Sequence, residues 1–392
     1  MLRKFYITGL ILVFFSCQTS QKKTDAVEKA QEILVQTRQD LLPDKRDQIF
    51  DIKMIAQNGN LILKGTTDAG FLKDSILSRL QKQNLKIIDS IRLLPLPQFQ
   101  HKVGVTRLSV ANLRANPKHS AELVTQTLMG MPLQVYEEIN GFYHVKTPEA
   151  YYAWIDKAGM VLMSEQEFKQ WLAAPKIIIT GHCGTIRQEK YTDALPVSDY
   201  VLNDVFILNK LDEPFAHISY PDGREGYLNM EDFTLLDEFA GTNTHYLSPY
   251  DIVHYAKEYL GIPYLWGGTS IKGVDCSGFT KNVYAQAGYL LPRDASQQVK
   301  IGKEIPITND FSTLKTGDLL FFGRQKNGKE KITHVAIHLG NGKIIHATGE
   351  VKIESLNKKD ADYNPDRRNT LLQARRIYKE YPQNFAHLYQ LH

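Results

Sequence analysis

The apolar residues at the start of the chain follow two different periods, which together predict one small module. From about Ala26 to Leu41 the apolar positions recur at helical spacing. Two short extended runs, a helical stretch and a third extended run come next, at Ile49–Ala56, Leu61–Lys64, Phe71–Gln83 and Leu85–Leu93. An Asn58-Gly59 pair between the first two runs is a strong hairpin signal. We therefore predict a small α+β module over residues 30–98, with its end marked by Pro95 and Pro97.

The middle of the chain alternates between apolar and polar residues in many short runs. Two stretches, at 101–172 and 175–240, consist of such runs separated by polar or glycine-containing turns. Evenly spaced short strands of this kind predict two small β-barrels. From residue 246 to 392 the pattern changes, with helical periods over Pro249–Leu260 and Cys276–Ala287 and strand-like alternation over Val335–Leu339 and Lys343–Ala347. The whole chain is thus predicted to be a multidomain α+β protein.

Length and composition agree with several soluble domains. The chain has 392 residues, of which 43% are hydrophobic and 23% charged, typical of globular proteins. Lys and Arg number 47 against 43 Asp and Glu, a net charge of +4, and no dense basic stripe is present. We expect no nucleic-acid partner.

The first residues resemble an export signal. Arg3 and Lys4 precede an apolar run from Phe5 to Phe15 that is too short to span a membrane with flanks of its own, and Ser16 and Cys17 follow. A small residue followed by cysteine resembles a bacterial lipoprotein signal, so residues 1–17 are predicted to be a lipoprotein signal peptide. In such a signal Cys17 is acylated and becomes the mature N-terminus, and residues 18–29 would serve as a polar tether. The alternative is a plain signal peptide in which Cys17 has no role. Either interpretation predicts export, and the first predicts a lipid-anchored protein of the bacterial cell envelope, in the periplasm or at the outer membrane.

The three cysteines do not form a disulfide framework. If Cys17 carries lipid, Cys183 and Cys276 remain, and an exported chain with two cysteines is not a disulfide scaffold. A bridge between them is possible but would consume the best nucleophile in the chain. We expect Cys183 to be a small buried apolar residue. Its neighbour His182 lacks a second cluster of ligands that would form a metal site.

Cys276 lies where a helix is predicted to begin. Asp275 is a natural N-cap, and the amphipathic stretch that follows makes Cys276 the first helical residue. There the thiolate faces unpaired backbone N–H groups and the positive end of the helix dipole, conditions that lower a thiol pKa. The same N–H groups can hold an oxyanion. A cysteine that merely packs at a helix start is the alternative.

Three histidines lie on a predicted hairpin and supply a base. His334 and His338 share one face of an alternating strand, and His346 lies on the returning strand beyond the turn at Gly340-Asn-Gly342. A three-residue loop would set Ala336 opposite His346 and His334 diagonally from it, about 7–8 Å away and within reach of a bond between the rings. A two-residue loop would place the two rings on opposite faces. Three histidines also raise the possibility of zinc, but no carboxylate or cysteine accompanies them at ligand spacing.

Five motifs in one order resemble the NlpC-type cell-wall peptidases, which have a compact papain-like fold. They are Tyr264-Leu-Trp-Gly-Gly268, Asp275-Cys-Ser-Gly-Phe279, Gly317-Asp-Leu-Leu-Phe-Phe322, His334-Val-Ala-Ile-His338-Leu-Gly340 and His346-Ala347. The resemblance implies that Cys276 is the nucleophile, His334 the general base and His346 the residue that orients it. It also implies that the Tyr264 hydroxyl helps the oxyanion site. His338 departs from the family pattern, and we expect a packed or surface histidine there.

The domain order resembles the γ-D-glutamyl-L-diamino acid endopeptidases, with two bacterial SH3-like domains before the catalytic one. The first SH3-like domain is suggested by Asn112-Leu-Arg114, Gly130 and Tyr152-Ala-Trp154-Ile155, and the second, more faintly, by Gly226-Tyr-Leu228. The N-terminal module is weakly similar to the BON-like domains of envelope proteins. This resemblance implies a cysteine peptidase that cleaves after γ-D-glutamate in peptides with a free N-terminal L-alanine, such as L-Ala-γ-D-Glu-diaminopimelate. It implies no metal and no organic cofactor.

The same resemblance supplies candidates for substrate binding. Asp294 in Pro292-Arg-Asp294 is the best anchor for the ammonium group, and Asp275, Ser277 and Trp266 fit substrate-lining positions. The first predicted barrel adds Glu122 and either Tyr151 or Tyr152, for which a surface glutamate and a core tyrosine are the alternatives.

Other functions remain open at this point. The same fold could serve an amidase or an endopeptidase of different bond specificity, because the sequence reveals little of the pocket. A cell-wall-binding lipoprotein with a vestigial catalytic domain is a second possibility, although it would not need Cys276, His334 and His346 together. Transfer of the acyl group to an amine instead of water is a third.

Overall fold

The computed structural model describes residues 15–42, 44, 46, 48–57, 60–83, 85–242, 249–326, 328–377 and 386–389. The chain divides into two compact units, residues 1–97 and 98–392. Most of the predicted signal segment and the side chain of Cys17 lie outside what is described. None of the described helices is long and apolar enough to cross a membrane.

The first unit is a helix followed by a three-stranded sheet with a second helix. Its elements are α1 (Phe15–Leu41), β1 (Phe50–Gln57), β2 (Asn60–Thr67), α2 (Gly70–Gln81) and β3 (Ile87–Leu93). Strand β2 pairs antiparallel with β1 and parallel with β3, so the predicted order of strand, strand, helix and strand is confirmed. Ala30 and Leu34 of α1 are buried with Ile76 and Leu80 of α2 in one core. Helix α1 includes residues 18–29, whose role as a tether stays a prediction, and the predicted Asn58-Gly59 turn lies outside the described residues.

A seven-stranded antiparallel sheet begins the second unit, and we call residues 101–172 the first β domain. Its strands are β4 (Lys102–Thr106), β5 (Val110–Arg114), β6 (Leu123–Leu128), β7 (Pro132–Ile139), β8 (Phe142–Lys146), β9 (Tyr152–Asp156) and β10 (Met160–Ser164). They pair in the order β10-β4-β7-β8-β9-β5-β6. Helix α3 (Glu165–Ala173) follows, and Ser164 and Glu167 form a capping box at its start.

The second β domain, residues 175–240, repeats this topology strand for strand. It comprises β11 (Lys176–Ile179), β12 (Cys183–Arg187), β13 (Pro196–Val201), β14 (Val205–Asp212), β15 (Phe215–Ser219), β16 (Glu225–Asn229) and β17 (Phe233–Leu235), with α4 (Leu236–Thr242) at its end. The order β13-β12-β16-β15-β14-β11-β17 is the first order read from the other edge, with each strand replaced by its counterpart. The two predicted sets of short strands are confirmed, and the structure adds that they are two copies of one arrangement.

The described residues from 249 onward form an α+β domain, as predicted. Its elements are α5 (Pro249–Lys257), β18 (Thr269–Ser270), β19 (Gly273–Val274), α6 (Cys276–Gln286), α7 (Ala295–Gln298), β20 (Lys303–Glu304), β21 (Leu319–Lys326), β22 (Lys329–Gly340), β23 (Lys343–Thr348), β24 (Glu350–Ser355), α8 (Pro365–Thr370) and β25 (Leu371–Arg376). Six strands form one antiparallel sheet in the order β20-β25-β21-β22-β23-β24. The core between α6 and this sheet contains Phe279 and Val283 from the helix and Val335, Ile337 and Ile345 from the strands. The remaining described helical turns are 3-10 turns at Pro97–Phe99, Lys157–Gly159, Met230–Asp232 and Ala386–Tyr389.

The first β domain packs directly against the loop that leads to α6. The Thr269 backbone N–H donates to Gln126 Oε1 at 2.9 Å, and its hydroxyl donates to the Gln126 carbonyl at 3.0 Å. Gly267 has φ +77°, and a Cβ there would stand 2.4 Å from the Leu123 carbonyl oxygen. Only glycine permits this approach, so Gly267 allows the first β domain to lie close to the C-terminal α+β domain.

Candidate active site

The nucleophile candidate is the first residue of α6, as the sequence predicts. Asp275 has extended backbone angles and accepts a hydrogen bond from the Gly278 N–H at 2.7 Å, the geometry of an N-cap. The backbone N–H groups of Val335 and Ser277 lie near the Cys276 sulfur and act to lower its pKa. Cys276 is buried in the core cluster between α6 and the sheet.

Burial reverses the expected shift of the thiol pKa. Burial, with a further contribution from the Asp275 carboxylate, raises the pKa of Cys276 to about 11, whereas the Val335 N–H and the Arg293 cation act in the opposite direction. The expectation that the helix start lowers this pKa is therefore wrong. A buried thiolate loses more hydration than two N–H groups return. At neutral pH the resting sulfur is a thiol and needs a base that removes its proton during attack.

The histidine hairpin reaches the predicted register by a different route. Strand β22 pairs with β23 through Ile337 opposite Ile345, a register that sets Ala336 opposite His346. The turn has two residues, Asn341 and Gly342, both with positive φ, and a β-bulge at Leu339 supplies the extra residue. The prediction that a two-residue loop would separate the histidines is wrong, because a bulge adds one residue to one strand and restores the face.

The two predicted imidazoles are in direct contact. His334 Nε2 lies 2.8 Å from His346 Nδ1, with the rings edge to face. A second bulge, at Thr333, immediately precedes His334, and Val335, whose N–H faces the Cys276 sulfur, immediately follows it. Burial lowers the pKa of His334 well below its ordinary value. The His334 ring is therefore neutral at pH 7 and able to accept a proton.

Tyr264 approaches the nucleophile from the loop before α6. Its backbone N–H donates to the Gly349 carbonyl at 2.8 Å, which ties this loop to the end of β23. Burial, and then the charges of Cys276 and Asp275, raise the pKa of Tyr264 to about 12. The phenol stays protonated over the working pH range and can donate to an oxyanion, as the sequence resemblance implies.

A buried ion pair holds the start of α6. Arg293, which is 1% exposed, donates to both oxygens of Asp275 at 3.1 and 2.5 Å and to the Ser277 hydroxyl at 3.0 Å. Its Nε–H reaches Thr125 of the first β domain at 2.9 Å. The predicted substrate residues Asp275 and Ser277 are thus buried members of a network that also positions Cys276.

Other predicted substrate residues lie at the border between the two domains. Trp266 is 63% exposed, and its Nε1–H donates to Glu122 Oε1 of the first β domain at 2.8 Å. Asp294, at the start of α7, and Tyr151 are electrostatic neighbours of Arg293. Tyr152 instead packs within the first β domain, against Tyr136, His144 and Lys146. Of the two tyrosines, Tyr151 therefore lies on the side of the active site.

His338 and Cys183 have other surroundings. His338 is buried, with Nδ1 3.1 Å from the Lys315 carbonyl and Nε2 accepting the Gly342 N–H, so it is the packed histidine we expected and has no free nitrogen to act as a base. Cys183 is exposed, which contradicts its predicted burial, because it begins a strand at the surface; Cys183 and Cys276 are both free thiols. Across the described residues, no group of three or more His, Cys, Asp or Glu could hold a metal ion.

Two charged groups near the histidines were not found from the sequence. Glu354 accepts a hydrogen bond from His346 Nε2 at 2.9 Å. Arg367, in the first turns of α8, stacks over Phe322, and its cation is an electrostatic neighbour of Cys276, Tyr264 and Glu354. No motif or periodicity indicates either residue, because the sheet and the loop before α8 bring them to the site.

Comparisons with known proteins agree with this site and with the domain order. A model of the NlpC/P60 family matches residues 261–365, and a model of the bacterial dipeptidyl-peptidase Sh3 domain matches residues 113–160. Two similar proteins are each named gamma-D-glutamyl-L-lysine dipeptidyl-peptidase. The one from Bacillus subtilis (strain 168) is 41% identical over 132 residues, 33% of this chain and 41% of that protein. The one from Bacillus cereus (strain ATCC 10987 / NRS 248) is 28% identical over 272 residues, 66% of this chain and 78% of that protein.

A solved structure has a similar fold over much of the chain. It is the crystal structure of an NlpC/P60 family protein from Bacillus cereus ATCC 10987, 24% identical, with a TM-score of 0.57. The match covers 70% of this chain and 99% of that one. With its Sh3 domain and its cysteine–histidine site, this chain is a cysteine peptidase that carries the catalytic domain of the NlpC/P60 family.

Proposed function

We propose that this protein is an endopeptidase that hydrolyses the bond between γ-D-glutamate and the diamino acid of peptidoglycan stem peptides. The observation that carries the proposal is the 2.8 Å contact between His334 and His346 beside a nucleophile that opens α6. The names of the relatives, which specify γ-D-glutamyl-L-lysine, support this bond. The first β domain borders the site through the hydrogen bond between its Glu122 and Trp266. A domain in this position would limit the length of the substrate.

The reaction begins with the transfer of one proton. His334 accepts the proton of the Cys276 thiol as the sulfur attacks the γ-glutamyl carbonyl carbon, and the carbonyl oxygen becomes an oxyanion. Backbone N–H groups at the start of α6 and the Tyr264 hydroxyl donate to that oxygen. His334 then returns the proton to the departing amine of the diamino acid as the C–N bond breaks. Water, deprotonated by His334, hydrolyses the thioester and restores the thiol. Cys276 is the first nucleophile and water the second, and His334 carries the proton in both halves of the reaction.

We propose further that the free amine of an N-terminal L-alanine is bound at the domain border. Asp294 and Glu122 are the carboxylates there, and Tyr151 lies on the same side. Asp275 is a weaker candidate for this role, because Arg293 already neutralises it. An ammonium ion recognised by these groups would limit cleavage to peptides already released from the sugar chain.

Two peptides test the proposal. The chain without residues 1–17 is incubated with L-Ala-γ-D-Glu-diaminopimelate and with its N-acetylated form. Release of L-Ala-D-Glu from the free peptide alone is expected. Equal cleavage of the two peptides would refute the proposed amine-binding site but not the proposed peptidase activity. Cleavage of another bond would favour an amidase or endopeptidase of different specificity, and binding to wall fragments without cleavage would favour the wall-binding alternative.

Two variants complete this test. Cys276→Ala removes the nucleophile and is expected to abolish turnover with an unchanged circular dichroism spectrum. Glu122→Gln is expected to raise KM for the free peptide, because it removes one carboxylate from the proposed amine site. Glu138→Gln, which alters a carboxylate elsewhere in the first β domain, is the matched control.

We also propose that Cys17 carries a lipid anchor in the bacterial envelope and that the first unit is a BON-like module. The basic and apolar residues before Cys17 support the anchor, and the order β1, β2, α2, β3 supports the module. Metabolic labelling with a fatty acid in a bacterial host tests the anchor. Labelling that persists in Cys17→Ala would refute the assignment.

A further inference from the structure

A carboxylate lies on the side of His346 opposite His334. His346 Nε2 is 2.9 Å from Glu354 Oε2, and His346 Nδ1 is 2.8 Å from His334 Nε2. His346 is 0% exposed, and the Glu354 side chain is 17% exposed. The buried ring therefore has a polar partner on each nitrogen, and its orientation is fixed.

The charges around Glu354 hold it as a carboxylate. Burial acts to raise its pKa, but the Asn364 amide, which donates to Oε2 at 2.6 Å, and His346 hold the pKa of Glu354 below its ordinary value. Lys352, on the same strand, has its ammonium 3.3 Å from Oε1. From α8, the Arg367 cation also faces this carboxylate. Glu354 is thus held by groups from β23, β24 and the start of α8.

An acceptor at Nε2 decides which nitrogen of each ring carries a proton. Burial lowers the pKa of His346 to about 4, so the ring is neutral at pH 7 and has a single N–H. Because ionised Glu354 can only accept, that hydrogen is on Nε2, and Nδ1 has a free lone pair. His334 must then donate from its own Nε2 to His346 Nδ1. The lone pair of His334 is left on Nδ1, the ring nitrogen that does not bond to His346, and is available there to accept the thiol proton.

We propose that Glu354 is a positioning residue that sets the tautomer of His346 and, through it, the tautomer of the base His334. Its negative charge also stabilises the imidazolium that forms at His334 during attack, since the two N–H···acceptor bonds point toward the carboxylate. Turnover measurements rest on the proposed function, but the ionisation of Cys276 can be measured without any substrate.

Three variants of the chain test the proposal. Glu354→Ala removes both the acceptor and the charge, whereas Glu354→Gln keeps an oxygen acceptor of the same size. Glu350→Gln changes an exposed carboxylate on the same face of the same strand and is the control. For Glu354→Ala we expect kcat/KM to fall roughly 10–100-fold, mainly in kcat, as for other groups that orient a functional histidine. We expect Glu354→Gln to recover most of this loss and Glu350→Gln to match the wild type.

The second readout is the rate at which iodoacetamide alkylates Cys276 at pH 7, measured by mass spectrometry. It should fall in the same order, with Glu354→Ala slowest, because a base in the wrong tautomer cannot accept the thiol proton. Alkylation and turnover of Glu354→Ala at wild-type rates would overturn the proposal. Glutamine and alanine variants that are equally impaired, with equally lowered unfolding temperatures, would also overturn it in favour of a purely structural role. If the wild type cleaves none of the peptides, only the proposed function fails, and the order of alkylation rates still decides the role of Glu354.

Discussion

The network around Arg293 allows one prediction to be worked out in magnitude. Replacing Arg293 with methionine leaves the Asp275 carboxylate buried, at 7% exposure, without its cation. Removing one partner of a buried ion pair costs about 3–5 kcal/mol of unfolding free energy, because the other charge stays desolvated. At about 2 °C per kcal/mol, the value for larger domains, the unfolding temperature should fall by about 6–10 °C.

The same change should alter the nucleophile. Arg293 lowers the pKa of Cys276 and Asp275 raises it, so removing the cation moves this pKa further upward from about 11. Alkylation of Cys276 at a fixed pH should therefore slow in Arg293→Met. In Asp275→Asn/Arg293→Met the buried charge is absent and asparagine still caps α6, so both stability and alkylation should recover in part.

Differential scanning fluorimetry and an iodoacetamide time course measure the two effects. Arg324→Met, which alters an exposed arginine on β21, is the control and should change neither. An unfolding temperature of Arg293→Met equal to that of the wild type would refute the reasoning. A double variant no more stable than Arg293→Met would show that the unpaired carboxylate is not the cause of the loss.

Three further changes have directions fixed by the structure. Burial lowers the pKa of His346 to about 4 in the folded chain, whereas the unfolded value is about 6.5, so the unfolded chain binds an extra proton between these pH values. The free energy of unfolding should therefore fall by about 3 kcal/mol as the pH drops through this window. Urea unfolding of His346→Gln should show a shallower fall over the same pH range. Arg367→Met removes a cation that lowers the pKa of His334 and His346, so the acid limb of the kcat/KM profile should move to higher pH. An unmoved acid limb, or an equal shift in the control Arg368→Met, would contradict this role of Arg367. Trp266→Phe removes only an exposed hydrogen bond to Glu122, so the unfolding temperature should stay within about 1–2 °C of the wild type, which corresponds to roughly 0.5 kcal/mol. A larger drop would mean that this contact holds the first β domain and the C-terminal α+β domain together.

Much of the fold could be predicted because it depends on local pattern. The alternation of short runs gave two sets of strands, and the change to helical spacing located α6. The resemblance in five motifs then suggested which residues are the nucleophile, the base and the orienting histidine. The sequence did not reveal that the two β domains share one strand order, since pairing between distant strands leaves no periodic signal.

The active site also has some features that the sequence predicts and others that depend on the tertiary structure. Sequence by itself determined that Cys276 begins a helix behind the Asp275 cap and that His334 lies on one face of a strand, because both depend on residues a few positions apart. Only the tertiary structure decided the surroundings of these groups: the bulge that returns His346 to the face of His334, the Glu354 carboxylate behind it, and the Arg293 bridge to Thr125. The tertiary structure also decided the direction in which the pKa of Cys276 shifts, because the loss of hydration in the core outweighs the local effect of the helix start.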